Sequence, residues 1–264
     1  MNGTDRAANG LASRLRAAWS RHRNILITFV LLAAVWEIGV RVFNAPRYIL
    51  PSPAAVWEGF LSQPGRMLAN TWSTVQIIVV GYAIAVLVSI PLALLIAFSR
   101  FVQTTLYPLL VVFQIIPKIA VAPLFIVWFG FGFMPKVMLV FLLSFFPIVI
   151  SAIAGFRSLD ADIEDFGRST GAGAWRMFFK IRLPQSLPSI FTGLKLAAGS
   201  SYIIIAAAEF LGARSGVGFF IWASWQTFAV SRMFVGIVVI SAMGYLTILA
   251  LEALERRFVP WAKH

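Results

Sequence analysis

Three polar side chains, Gln114, Lys118 and Glu209, lie within long hydrophobic stretches of the sequence. If these stretches span a bilayer, a charged group among them is costly and is therefore a functional candidate. Lys118 follows Pro117, and a proline within a helix frees a backbone carbonyl. A cation and a free carbonyl near the middle of a membrane suit an anionic ligand. The alternative is that Lys118 extends its amine to the interface or pairs with a carboxylate.

Gln114 and Glu209 complete this candidate set. Gln114 precedes Lys118 by one helical turn and shares its face, so its amide could bind a ligand or join two helices. Glu209 could pair with Lys118 within one chain or across a dimer, although their depths differ by about 10 Å at about 1.5 Å per residue. We expect Glu37 to pair with Arg41, four residues later.

The composition places the chain in a membrane. It has 264 residues, of which 60% are hydrophobic and 12% are charged, whereas soluble domains carry about 25% charged residues. The absence of cysteine excludes disulfides and thiolate metal sites. His22 and His264 lie in terminal segments without a partner motif, so we expect no metal site. In a membrane protein, the net charge of +12 indicates basic cytoplasmic loops rather than nucleic-acid binding.

The hydrophobic stretches predict an all-α integral membrane protein with six transmembrane helices. The predicted spans are Asn24–Phe43, Ala69–Phe98, Thr105–Phe129, Lys136–Phe156, Ile190–Leu211 and Arg232–Ala253. Most lysines and arginines outside these spans fall on one side if the N-terminus is inside, which predicts two cytoplasmic termini. Residues 1–23 are then a cytoplasmic segment, and residues 24–264 form one membrane domain. On the outer side, the proline-capped sequence PSPAAVWEGF predicts a short interfacial helix.

The largest predicted cytoplasmic loop, about residues 157–189, contains an unusual charged insert. Residues 162–179 suit one or two short helices joined at Gly171–Gly173, with acidic residues at the start and basic residues at the end. Pro184 is expected to stop this helix and to start the next segment. One face is apolar and includes Trp175 and Phe179. This face either packs against the chain or the membrane interface, or it docks a cytoplasmic subunit.

The spacing within this insert resembles the EAA loop of permease subunits in bacterial ABC importers. That loop has E-A-A, three residues, G, nine residues and then I-x-L-P; here the same spacing joins Asp165-Phe166-Gly167, Gly171 and Ile181-x-Leu183-Pro184. Asp, Phe and Gly replace the Glu and the two Ala. Three further segments resemble the sulfonate, nitrate and taurine type of permease: PLLVVFQIIPKIAVAPLFIVWFGFG, LPSIFTGLKLAAGSSYIIIAAAEFLGA and SGVGF. In that family, the acid of the AAAEF segment looks structural or gating.

The resemblance implies a type I ABC importer permease whose cytoplasmic loop is a coupling helix for a separate ATPase. It implies a homodimer of permease subunits, two cytoplasmic ABC ATPase subunits, a periplasmic or lipid-anchored solute-binding protein, and a location in the bacterial inner membrane. The residues implied in coupling are Glu164, Asp165, Gly167, Arg168, Gly171, Ala172, Trp175, Ile181, Leu183 and Pro184.

The chain itself is not expected to be an enzyme or to bind a cofactor. It lacks the G-x-x-x-x-G-K-[ST] phosphate loop, so ATP and Mg²⁺ are expected on the partner ATPase. The expected solute is a small anion of the sulfonate, nitrate or taurine type. The alternatives are a pyrimidine thiamin precursor or riboflavin and, more distantly, an ion-coupled secondary transporter, which would need paired intramembrane acids and inverted repeats that are not evident.

Overall fold

The computed structural model describes residues 27–210 and 213–261, and all regular elements in these ranges are helical. This confirms the predicted all-α fold class. The predicted N-terminal segment 1–23 and both histidines lie outside the described residues. The short helix predicted for PSPAAVWEGF is present, and the Ser52 hydroxyl caps it by accepting a hydrogen bond from the amide of Ala55 at 3.3 Å.

Eleven α-helices follow one another in the described part of the chain. The first, α1, is described over residues 27–42. The others are α2 (Pro53–Ser62), α3 (Pro64–Phe98), α4 (Arg100–Ile115), α5 (Ala122–Phe129), α6 (Phe133–Arg157), α7 (Ala161–Ser169), α8 (Ala174–Met177), α9 (Leu183–Phe210), α10 (Val217–Gln226) and α11 (Val230–Phe258). A 3₁₀ turn at Lys118–Val121 precedes α5, and a π-helical turn at Phe178–Arg182 joins α8 to α9.

Four helical segments of the described chain are long and apolar enough to cross a membrane. They are α3, α6, α11 and the continuous run Ala174–Phe210, and a fifth crossing is possible if α4 and α5 together form one broken span. The predicted total of six spans remains a prediction, because the first predicted span begins outside the described residues.

The third predicted span, Thr105–Phe129, is not one straight helix. Arg100–Ile115 and Lys118–Phe129 meet at an angle of 86°. The break has a local cause: Ile116 adopts an extended backbone (φ −59°, ψ 129°) before Pro117, which is the conformation that a following proline favours. Pro91 and Pro147, in contrast, lie inside continuous helices, as predicted.

The centre of the bundle is formed by α3, α6 and α9, whose buried aliphatic side chains pack together. Ile77, Val140 and Ile205 represent the three helices in this core. Small residues permit close approach: a Cβ at Gly81 of α3 would lie 2.8 Å from the backbone oxygen of Val137 in α6. The hydroxyl oxygens of Ser144 in α6 and Ser201 in α9 also form a hydrogen bond of 2.7 Å. This packed centre positions the loops at both ends of the bundle.

Candidate functional site

The charged insert folds as a helical hairpin that turns at Gly171–Gly173, as predicted, but only α7 is a separate short helix, because α8 continues into α9. The turn depends on Gly171, whose φ of +74° is in the left-handed region that favours glycine. The Ala172 amide donates to the Gly167 carbonyl at 3.2 Å and closes the end of α7.

Two contacts hold the hairpin together and against the bundle. Arg182 donates to the Glu164 carboxylate at 2.8 Å, and its guanidinium lies 4.8 Å from the ring centroid of Phe98 at the end of α3. Gly167 packs against Met177, where an added Cβ would lie 2.9 Å from the Met177 sulfur. The small residue at this position of the loop therefore lets α7 approach α8.

The prediction that Pro184 stops the helix is wrong. The run from Ala174 to Phe210 is continuous, and Pro184 is its eleventh residue. The π-helical turn directly before it gives the reason: the Leu183 amide donates to the Phe178 carbonyl, five residues back. A wider turn at this point relieves the clash between a proline ring and the carbonyl four residues earlier. The predicted coupling residues Ile181, Leu183 and Pro184 lie half-buried at this junction.

The apolar face of the hairpin is divided between the protein interior and its surface. Phe178 points inward and contacts the rings of Phe98 and Phe156. Trp175 is 75% exposed and stacks on Phe179, with ring centroids 5.5 Å apart and ring planes inclined by 5°. Phe166 is 69% exposed. Packing within the described chain therefore leaves these three aromatic side chains, which we call the aromatic patch, uncovered. Among the other predicted coupling residues, Asp165 is exposed, Ala172 is half-buried, and Arg168 lies in α7.

Lys118 and Gln114 meet at the break between α4 and α5. The Lys118 ammonium donates to the backbone carbonyl of Gln114, and it lies 5.1 Å from the ring centroid of Phe146. The Gln114 carbonyl, which lacks a helical donor because α4 ends at Ile115, is thus bound by the lysine side chain. The Gln114 side chain is exposed, whereas Lys118 is half-buried.

Glu209 lies elsewhere, at the end of α9, and is only 1% exposed. Its carboxylate accepts hydrogen bonds from the Thr74 hydroxyl at 2.9 Å and from the Gly218 amide at 2.7 Å. The same Thr74 hydroxyl accepts from the Val217 amide at 2.8 Å. Glu209 therefore links the start of α10 to α3, and we call these contacts the Glu209 clamp. They support a structural role for Glu209, which is one of the roles that the resemblance implies.

Sequence reasoning missed the partners of this clamp. The Asn70 side chain accepts from the Gly216 amide at 2.8 Å, one helical turn before Thr74. Gly216 and Gly218 belong to the SGVGF segment, whose glycines were the available signal. The predicted Glu37–Arg41 pair forms at 2.7 Å, and the Glu37 carboxylate also accepts from the Ala54 amide at the start of α2.

The hairpin and the Glu209 clamp lie at opposite ends of the bundle. Helix α3 starts near Thr74 and Asn70 and ends at Phe98, which contacts Arg182 of the hairpin. Helix α9 runs the other way, from the hairpin to Glu209. The chain thus has an aromatic patch at one end, a clamped loop at the other, and a lysine at the broken helix.

Comparison with known proteins gives a consistent result. The family described as "Binding-protein-dependent transport system inner membrane component" matches residues 85–260. The formylaminopyrimidine transport permease protein ThiX of Halalkalibacterium halodurans is 34% identical over 89% of this chain and 94% of its own. The taurine transport system permease protein TauC of Escherichia coli is 32% identical over 94% of both chains. The MetNI methionine ABC transporter, solved in inward facing conformations, has a similar fold, with a TM-score of 0.61 at 17% identity over 75% of this chain and 98% of that one.

Proposed function

The chain belongs to the family of binding-protein-dependent transport system inner membrane components, and we propose that it forms the translocation pathway of an ATP-driven importer as a homodimer. Two cytoplasmic ATPase subunits supply the energy, and a solute-binding protein delivers the solute to the opposite face. ATP and Mg²⁺ bind to the ATPase subunits, and this chain holds no cofactor. The family is a transport component rather than an enzyme.

The aromatic patch carries the proposal for coupling. Stacked rings of Trp175 and Phe179 on a charged hairpin are unfavourable in water, so a protein partner that covers them gains apolar burial. The hairpin continues into α9 without a break, so a push on the patch is transmitted along a rigid helix to the Glu209 end. We place the hairpin and both termini in the cytoplasm of a bacterial cell, with the domain in the inner membrane, as the distribution of lysine and arginine predicts.

The proposed solute is a small anion of the sulfonate, nitrate or taurine type. The cation of Lys118 at the helix break supports this choice, since an uncompensated positive charge inside a membrane favours a negative ligand. Gln114 is the proposed neighbour of that ligand, and Glu209 contributes by holding the outer loop. The alternative solute is a pyrimidine thiamin precursor, which the similarity to the formylaminopyrimidine permease ThiX favours, or riboflavin.

Uptake into proteoliposomes tests the function and the role of Lys118 together. We expect uptake of labelled taurine to require ATP, the ATPase and the binding protein. Lys118→Gln should reduce uptake about tenfold or more, as expected for the loss of one charge-assisted contact, while Lys118→Arg retains most of it. Uptake that follows an ion gradient without ATP would instead identify a secondary transporter. Unchanged uptake by Lys118→Gln would remove this lysine from the pathway.

A further inference from the structure

A polar cavity of about 150 Å³ lies at the end of the bundle opposite the hairpin. It is bounded by the first turns of α3, by α10 and by the start of α11. Two arginines, Arg66 and Arg232, face it from α3 and α11, and the rings of Phe219 and Phe220 form its apolar side. Its uncharged polar lining consists of Gln63, Asn70, Ser224 and Thr227.

The two arginines are not neutralised within the described chain. The salt bridges there join Glu37 to Arg41, Glu164 to Arg182, Lys195 to Glu255 and Glu252 to Arg256. Arg66 makes one long hydrogen bond, of 3.5 Å, to the Gln63 side chain. Two cations that share a cavity without a carboxylate produce a positive potential that attracts an anion.

One polar side chain of the cavity lining is held in place by hydrogen bonds within the chain. Asn70 is held by the Gly216 amide and by the backbone oxygen of Arg66, at 2.8 Å each. The cavity adjoins a wider cleft of about 590 Å³ that shares Gln63 and Arg232 and adds Arg47 and Glu58. The cleft gives the cavity an approach from outside the bundle, and basic residues outnumber acidic ones along it.

We infer that this cavity binds a tetrahedral oxyanion group such as a sulfonate or sulfate, on its way into or out of the transport pathway. Guanidinium groups match such oxygens with paired, charge-assisted hydrogen bonds. The aromatic side of the cavity accepts the organic part of a sulfonate. This inference rests on the proposed function and adds a site at the outer face, distinct from Lys118. The phosphate of a lipid headgroup offers the same chemistry, so the source of the anion needs an experiment.

The test uses the full chain in nanodiscs of zwitterionic phosphatidylcholine, with methanesulfonate as the probe and saturation-transfer NMR as the measurement. We expect saturable binding that inorganic sulfate displaces and that neutral dimethyl sulfone does not reproduce. Arg66→Gln and Arg232→Gln should each weaken binding about tenfold or more. The matched control is Arg214→Gln, which removes an exposed arginine at the same end but outside the cavity.

Phospholipid retained through purification from the native membrane distinguishes the two sources. If methanesulfonate does not bind, but anionic phospholipid is retained and is lost in both cavity variants, the site is an oxyanion site filled by a headgroup. Equal binding of dimethyl sulfone would overturn the inference. So would the absence of both methanesulfonate binding and lipid retention, or binding and retention that do not change when the two arginines are replaced. Because no ATPase takes part, such a failure is separate from a failure of ATP-driven uptake.

Discussion

At the scale of single residues, Glu209 shows how a carboxylate is buried at one end of this bundle. A buried carboxylate is stable only when donors replace the water that it loses. Thr74 and the Gly218 amide supply these donors, and Gly216 leaves the space: a Cβ there would overlap the Glu209 side chain. With a φ of +117°, Gly216 also has a backbone that other residues rarely adopt.

Gly216→Ala should therefore destabilise the protein. The added methyl displaces the carboxylate from its donors and strains the backbone, at a combined cost of about 2–4 kcal/mol. The measurement is the midpoint of thermal unfolding of the detergent-solubilised chain. Size-exclusion chromatography of heated samples follows the loss of folded protein. Gly65→Ala is the matched control, because nothing lies within 4 Å of a Cβ at Gly65. Equal midpoints for the two variants would contradict the clamp.

At the scale of elements, the hairpin of α7 and α8 depends on one backbone conformation and one ion pair. Gly171 provides the left-handed turn, and the Glu164–Arg182 bridge fixes the angle of α7 against α9. A Cβ at Gly171 meets nothing within 4 Å. A substitution there therefore alters the turn without disturbing the core.

Gly171→Ala and Gly173→Ala make the same chemical change two residues apart. Gly173 has an ordinary φ of −64° and open space around it, so alanine should be tolerated there. At Gly171 alanine costs about 1–2 kcal/mol of local strain, and Gly171→Trp adds bulk beside the aromatic patch. We expect ATP-driven uptake to fall with Gly171→Ala and to be lost with Gly171→Trp, with the melting midpoint retained. Normal uptake by a well-expressed Gly171→Trp variant would refute the role of this turn.

The sequence predicted the hairpin well because its signals are local. Acidic and basic ends, a glycine turn and a fixed spacing all act within about twenty residues. The effect of each proline was harder to predict, since Pro117 breaks a helix, Pro147 lies inside one, and Pro184 follows a π-helical turn. The outcome depends on which neighbouring groups bind the carbonyls that have lost their helical donors. The Lys118 ammonium binds one of them, the Gln114 carbonyl, and only the folded structure shows this contact. Thr74, which donates to Glu209, lies 135 residues away in the sequence, so spacing could not identify it.

At the scale of the whole molecule, the features to which we assign roles lie at the two ends of one bundle. The aromatic patch and the charged hairpin lie at one end, and the basic cavity and the Glu209 clamp lie at the other. Helices α3 and α9 connect them as continuous elements. We propose that a partner covers the aromatic patch and moves the membrane-length helix that begins there.

Co-purification of the tagged chain from its native membrane tests this account most directly. Trp175→Ala removes the centre of the aromatic patch, while the control Trp57→Ala removes a similarly exposed tryptophan, stacked on Phe60, in α2. We predict that mass spectrometry finds an ATPase subunit at matching stoichiometry with the unmodified chain and with Trp57→Ala, but not with Trp175→Ala. An ATPase that stays bound to Trp175→Ala, or a chain that purifies alone and moves solute without ATP, would contradict the account.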